Sequence, residues 1–160
     1  MANKKNETYK VYCDGACEPN PGCGGYCAII FKSGDLEPRV IITGGEKYTT
    51  NNRMEIMGVL SAFSYIKNKS NITFFSDSQY VVNSINTWLA NWKKKGRQMK
   101  NMDLWNKVWT LKQKHIIKGV WIKGHAGNFY NEIADSLSLE AIDKTDSLKR
   151  DSFQDVKIIL

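Results

Sequence analysis

The chain has 160 residues, of which 42% are hydrophobic, so it is long enough for one domain with a substantial core. No apolar run approaches the roughly 18 residues that a membrane-spanning helix needs, and the polar, basic amino terminus lacks the apolar segment of a signal peptide. We therefore expect a cytoplasmic protein that has no membrane partner.

The positive charge of the chain is concentrated in one segment. The net charge is +7, and five positive side chains lie within eight residues, at Lys93, Lys94, Lys95, Arg97 and Lys100. Without these five, the rest of the chain carries only +2. Such a patch favours a polyanionic partner, although a solvated helix end would have the same composition.

The first fifty residues show the pattern of an antiparallel meander. Strands are predicted at 8–17, 23–33 and 39–48, because these segments are rich in β-branched and aromatic residues and are separated by turns that contain proline and glycine. The pair Gly44–Gly45 predicts a bulge in the third strand.

Four cysteines fall in the first two strands. Their spacing is looser than the knuckles of a zinc ribbon, and we expect reduced thiols. In a hairpin centred on Asn20, Cys13 would face Cys27 and Cys17 would face Cys23, which leaves a disulfide under oxidising conditions open.

The rest of the chain alternates between helix and strand patterns. The predicted elements are a helix at 52–67, a strand at 71–76, a helix at 103–115, a strand at 120–123 and a helix at 129–142. Between the strand at 71–76 and the helix at 103–115, two short helical pieces are expected, one carrying Val81, Val82 and Ile85 and the other carrying Trp88, Leu89 and Trp92. This alternation predicts parallel strand pairing. One domain over 1–142 is expected, followed by a polar tail over 143–160.

Four acidic residues lie in separate short motifs where strands or helices begin, end or turn. None of Asp14, Glu55, Asp77 and Asp135 has a basic partner at helical spacing. If the fold brings them together, two like charges about 4 Å apart cost roughly 4 kcal/mol at an effective dielectric near 20. Such a cluster is tolerable around divalent metal, so the sequence predicts a magnesium site and phosphoryl chemistry.

Taken together, the motifs resemble ribonuclease H of the bacterial type 1 class, over residues 9–142. They occur in the family's order and spacing: DGACEPNPGCGGY, TTNNRME, FSDSQYV, NWKK, NMDLW and IKGHAG. The resemblance implies an α/β fold with a five-stranded mixed sheet, three strands antiparallel and two parallel, and helices on both faces.

The resemblance also implies an endonuclease that hydrolyses the RNA strand of RNA/DNA hybrids and leaves 5′-phosphate and 3′-hydroxyl ends. Two Mg²⁺ ions, replaceable by Mn²⁺, would be held by Asp14, Glu55, Asp77 and Asp135. His125 would act in proton transfer or product release without binding metal.

Two other ionisable residues are less informative. Glu132 either assists near the GHAG loop or is a solvated helix residue. His115 stands at a helix end, where a surface position is expected.

The hybrid would be the partner of a monomeric enzyme. Family positions that contact it are occupied here by Asn20, Thr50, Asn51, Asn52, Gln79, Trp88, Asn91, Trp92, Lys93 and Lys94. Asn51 and Asn52 also suit helix caps, and Trp88 or Trp92 also suits the core. Arg97 replaces a tryptophan that many relatives carry, in a shortened basic segment.

Three alternative functions remain open. A non-catalytic hybrid-binding module would keep the basic patch and lose carboxylates. A ribonuclease H domain cut from a reverse transcriptase would not be expected to have its own Met and polar leader. A transposase or resolvase of related fold would lack the amide residues suited to the RNA minor groove.

Overall fold

The computed structural model describes residues 5–160. The strands are β1 (Glu7–Cys17), β2 (Gly22–Lys32), β3 (Val40–Thr49), β4 (Ser70–Ser76), β5 (Ile116–Trp121) and β6 (Ser152–Ile158). The helices are α1 (Asn51–Tyr65), α2 (Gln79–Asn83), α3 (Leu89–Lys94), α4 (Met102–Lys114) and α5 (Phe129–Ser147), and a π-helical turn (Ser84–Trp88) joins α2 to α3. Among these helices none is long and apolar enough to cross a bilayer.

The strands form one mixed sheet in the order β5-β4-β1-β2-β3-β6. The first three strands pair antiparallel, and β4 and β5 join the β1 edge in parallel, as the sequence predicts. The five expected strands are therefore present, and β6 adds a sixth. β5 begins at Ile116, earlier than predicted, directly after α4.

The two faces of the sheet carry separate cores. Residues alternate along β2: Ala28 and Ile30 face the larger core beneath α1 and α4, and Ile29 and Phe31 face the smaller core beneath α5. The larger core contains Trp105, which is fully buried. This division follows from the two-residue period of a strand that is covered on both faces.

The cysteine pairing expected from a hairpin centred on Asn20 is wrong by one residue. The register places Cys13 opposite Ala28 and Cys17 opposite Gly24. Because a one-residue slip turns a side chain to the other face, Cys13 lies in the larger core and Cys27 in the smaller one. All four cysteines are free thiols.

The bulge expected at Gly44–Gly45 is absent, since both residues pair regularly with β2. These glycines instead permit close packing: a Cβ atom on Gly44 would overlap the ring of Tyr26, and one on Gly45 would overlap Thr145. The register shift occurs farther along, between Gly22 and Gly24.

The segment predicted as a polar tail is structured. Helix α5 continues to Ser147, and β6 pairs antiparallel with β3. Phe153 is buried, although the charged residues beside it in the sequence hide the strand pattern. The ordered unit therefore extends well past residue 142.

His115 is buried, so the surface position expected for it is wrong. It follows α4, and its Nδ1 accepts a hydrogen bond from the backbone N–H of Ser70 over 3.1 Å. Burial lowers the pKa of this imidazole, with a further contribution from the charge of Lys114. His115 thus joins the end of α4 to the start of β4.

Candidate active site

Three of the predicted carboxylates meet at one edge of the sheet. Asp14 lies in β1, Glu55 is the fifth residue of α1, and Asp77 comes directly after β4. Each offers one oxygen, and these oxygens all lie within 4.8 Å of one another. Asp14 is buried, and the other two residues are partly exposed.

Gly15 allows this approach. A Cβ atom at this position would overlap the backbone of Met54 and Glu55, so the start of α1 can lie directly on β1 only because Gly15 has no side chain. Thr50 caps the helix by accepting a hydrogen bond from the Arg53 N–H over 3.2 Å. The local sequence thus fixes Glu55 beside Asp14.

Two hydrogen bonds fix the backbone at Asp77 and at the residue after it. Ser78 caps α2 and accepts a hydrogen bond from Val81 N–H over 3.2 Å. The indole N–H of Trp121 donates to the Asp77 carbonyl oxygen over 3.0 Å. The sequence places Trp121 only within a predicted strand. Nothing in the sequence predicts the hydrogen bond from its indole to Asp77.

The electrostatics of the cluster favour a cation. Burial, and then the charge of Asp77, raise the pKa of Asp14 to about 7. Burial and the charge of Asp14 raise the pKa of Glu55 well above its usual range. The Oε2 atom of Glu55 is buried and has no hydrogen-bond partner among residues 5–160. These oxygens are the ligands that Mg²⁺ prefers, so the residues present fit a divalent metal.

Asp135 is not among the three carboxylates that meet, but Asp135, in α5, and His125, in the loop before α5, both act on Asp77 through their charges. Burial raises the pKa of Asp77 most, the charge of Asp135 raises it further, and His125 lowers it. His125 is exposed and has a left-handed backbone, with φ of 55°. Gly124 packs against Asp77, since a Cβ atom there would lie 2.7 Å from Oδ2. Glu132, in the first turn of α5, is exposed.

Two of the predicted amide residues, Asn20 and Asn51, are joined by a hydrogen bond. The Oδ1 atom of Asn20 accepts a hydrogen bond from the Asn51 N–H over 3.1 Å, and Asn51 Oδ1 accepts one from Cys17 N–H over 2.6 Å. The N-cap of α1 is Thr50, so the alternative interpretation of Asn51 and Asn52 as caps is wrong. Asn52 is exposed, as is Gln79 at the start of α2.

The basic segment presents charges and one aromatic face to solvent. Trp88 is 42% exposed, whereas Trp92 is 8% exposed and packs against Trp105 with ring centroids 6.3 Å apart. Lys93 donates to Asn106 Oδ1 over 3.0 Å. Asn91 and Lys94 are exposed on the same short helix, α3.

The family model described as RNase H matches residues 6–143. The chain belongs to the ribonuclease H family. Ribonuclease H of Francisella philomiragia is 47% identical over 146 residues, which cover 87% of this chain and 93% of that protein. The Francisella tularensis subsp. novicida enzyme is 46% identical over the same shares.

Solved structures agree on the fold. LC9-RNase H1, described as a type 1 RNase H with the type 2 active-site motif, has a TM-score of 0.80 at 25% identity and matches 89% of this chain and 75% of its own. LC11-RNase H1, solved with an RNA/DNA hybrid, has a TM-score of 0.69 at 20% identity over 87% of this chain and 99% of its own.

Members of this family use divalent metal ions, in a two-metal mechanism, to hydrolyse the RNA strand of RNA/DNA hybrids. This ribonuclease H is accordingly an endoribonuclease.

Proposed function

We propose that Asp14, Glu55, Asp77 and Asp135 hold two Mg²⁺ ions in this ribonuclease H. The observation that carries the proposal is the meeting of three carboxylate oxygens within 4.8 Å, with a partnerless Oε2 on Glu55. Bound metal would activate the attacking water and stabilise the leaving oxygen. Mn²⁺, which also accepts oxygen ligands, would substitute for Mg²⁺.

The side chains of the site would orient the substrate and transfer protons during hydrolysis. Water attacks the phosphorus atom, the bond to the 3′ oxygen breaks, and the products carry 5′-phosphate and 3′-hydroxyl ends. His125 is the proposed proton carrier or release group, because it is exposed, its charge acts on Asp77, and an imidazole can both donate and accept a hydrogen bond.

The proposed substrate is an RNA/DNA hybrid, the ligand of the LC11-RNase H1 structure. Asn20, Asn51 and Gln79 would recognise the RNA strand, because amide groups can donate and accept toward a 2′-hydroxyl and a base edge. Thr50 and Asn52, at the start of α1, would lie near a phosphate of the DNA strand.

The segment from Trp88 to Lys94 would hold the DNA strand through exposed Lys93, Lys94 and Asn91 and the open face of Trp88. Trp92 would act indirectly, since it is buried against Trp105. We also place the enzyme in the cytoplasm, the compartment in which hybrids form in bacteria such as those of its relatives.

The decisive test compares matched RNA/DNA, RNA/RNA and DNA/DNA duplexes, each incubated with the enzyme and Mg²⁺. We expect cuts only in the RNA strand of the hybrid, with 5′-phosphate ends, and none with Asp77→Asn or with a chelator. Binding without cleavage would favour the non-catalytic module, and cleavage of DNA/DNA would favour a transposase or resolvase. Either result would overturn the proposed function.

A further inference from the structure

Strand β6 is an edge of the sheet. One side pairs with β3, and within residues 5–160 no strand lies on the other side. β6 also lies beyond residues 6–143, the part of the chain that matches the family model. Its role is therefore not assigned by the family resemblance.

The outer side of β6 carries free backbone groups at alternate residues. Ile159 N–H donates to the Arg39 carbonyl over 2.9 Å, and Lys47 N–H donates to the Asp151 carbonyl over 2.8 Å, so odd-numbered residues bond inward. In an antiparallel pair, neighbouring residues direct their N–H and C=O groups to opposite sides. The outward groups therefore belong to Ser152, Gln154, Val156 and Ile158.

The same strand and the residues after it expose apolar side chains. Val156 is 44% exposed, Ile158 67%, Ile159 42% and Leu160 56%. A free strand edge with exposed apolar residues is a template for pairing with another strand. Removing this surface from water would favour association.

The charges on β6 select one pairing register. In an antiparallel pairing of two copies centred on Val156, Asp155 of each copy faces Lys157 of the other, and Gln154 faces Ile158. Centring on Asp155 or on Lys157 would place like charges opposite each other, which destabilises a sheet. This register also keeps the backbone hydrogen bonds, because the even-numbered residues, whose backbone groups point outward, lie opposite one another.

We propose that two copies of this chain associate through β6, antiparallel and centred on Val156, in place of the monomer expected from sequence. Lys144 already pairs with Asp155 Oδ2 within each copy, which leaves the other carboxylate oxygen for Lys157 across the interface. The two sheets then form one continuous sheet.

The active sites stay open in this dimer. β2 and β3 lie between β6 and β1, the strand that carries Asp14. Each copy can therefore bind its own hybrid, and variants at the interface should cleave as wild type does.

The test measures mass by sedimentation equilibrium from about 1 to 200 µM protein. We expect the wild type to approach twice the 18.2 kDa of one chain as concentration rises. Val156→Pro removes an outward N–H without touching the bonds to β3, and it should remain at the mass of one chain. Lys157→Glu should weaken association at least tenfold, and adding Asp155→Lys should restore it.

Wild type that keeps the mass of one chain throughout would overturn the proposal. So would a dimer that survives both Val156→Pro and Lys157→Glu, because it would use another surface. Circular dichroism and hybrid cleavage check that each variant is folded, and Lys157→Glu still decides the result if Val156→Pro unfolds.

Discussion

Gly15 lies directly against the backbone of Glu55, and no other residue type fits between them. A Cβ atom on Gly15 would overlap both the Glu55 nitrogen and the Met54 carbonyl carbon. The separation between the carboxylates of Asp14 and Glu55 therefore depends on a residue that has no functional group.

The variant Gly15→Ala tests this dependence. The added methyl group should push α1 away from β1, and a displacement of about 1 Å at a catalytic group can cost about 100-fold in rate. We expect kcat on a hybrid to fall by about that factor in a folded protein. The control is Gly34→Ala, because Gly34 has φ of 93° in open space. It should lose about 1–2 kcal/mol of stability and keep its kcat. Equal kcat values for Gly15→Ala and wild type would contradict the argument.

The variant Asp14→Asn should abolish cleavage and stabilise the metal-free protein. The pKa of Asp14 is raised to about 7 in the fold. A raised carboxyl pKa contributes stability below the ordinary value near 4, and that stability is lost as pH rises through 7. At pH 8 the variant should exceed wild type in unfolding free energy by on the order of 4 kcal/mol, and the gain should shrink toward pH 4.

The measurement is urea unfolding at several pH values in the presence of a chelator. The lowered pKa of His115 has the opposite effect on the pH dependence, because it removes stability as pH falls. His115 is present in both proteins, so its contribution cancels in the difference between their unfolding free energies. Mg²⁺ should raise the midpoint of wild type and leave that of Asp14→Asn nearly unchanged. Full cleavage by Asp14→Asn would sink the metal assignment.

Replacing Lys93, Lys94 and Lys95 with alanine should weaken hybrid binding and flatten its salt dependence. The loss of three phosphate contacts should reduce the log–log slope by roughly two to three units, with the B-DNA coefficient as a guide. Cleavage at saturating hybrid should change little. The matched control neutralises Lys5, Lys67 and Lys69, which are exposed before β1 and between α1 and β4. Identical slopes for the two triple variants would mean that the lysine run is a solvated helix end.

Recognition of the ribose can be tested with hybrids that carry a single deoxyribose near the scissile phosphate. Wild-type cleavage should slow sharply, because each unmet buried hydrogen bond costs on the order of 1–3 kcal/mol. Gln79→Ala should already be slow and should lose less from the substitution. Asn51→Asp keeps the acceptor for the Cys17 N–H and removes the amide donor, so it separates recognition from local folding. Equal responses by all three proteins would show that these residues do not contact the sugar.

The sequence predicts the carboxylate cluster because acidic residues beside apolar runs need a common cation, and the structure brings Asp14, Glu55 and Asp77 together. It does not predict the cysteine register, because shifting a hairpin by one residue leaves the strand pattern almost unchanged. β6 was missed because Asp155 and Lys157 interrupt its apolar residues. His115 was misplaced because its partner, the backbone of Ser70, is 45 residues away and has no sequence signature.

The bonds that join Asn20, Asn51 and Cys17 have a consequence for substrate affinity. They tie the turn after β1 to the first residue of α1 before any nucleic acid arrives. Side chains and loops that become ordered only on binding reduce affinity by the entropy they lose. Here that entropy is lost during folding, so the surface that we propose for the minor groove is already ordered before the hybrid binds. Loosening this turn should slow recognition of the hybrid even when every contacting side chain is retained.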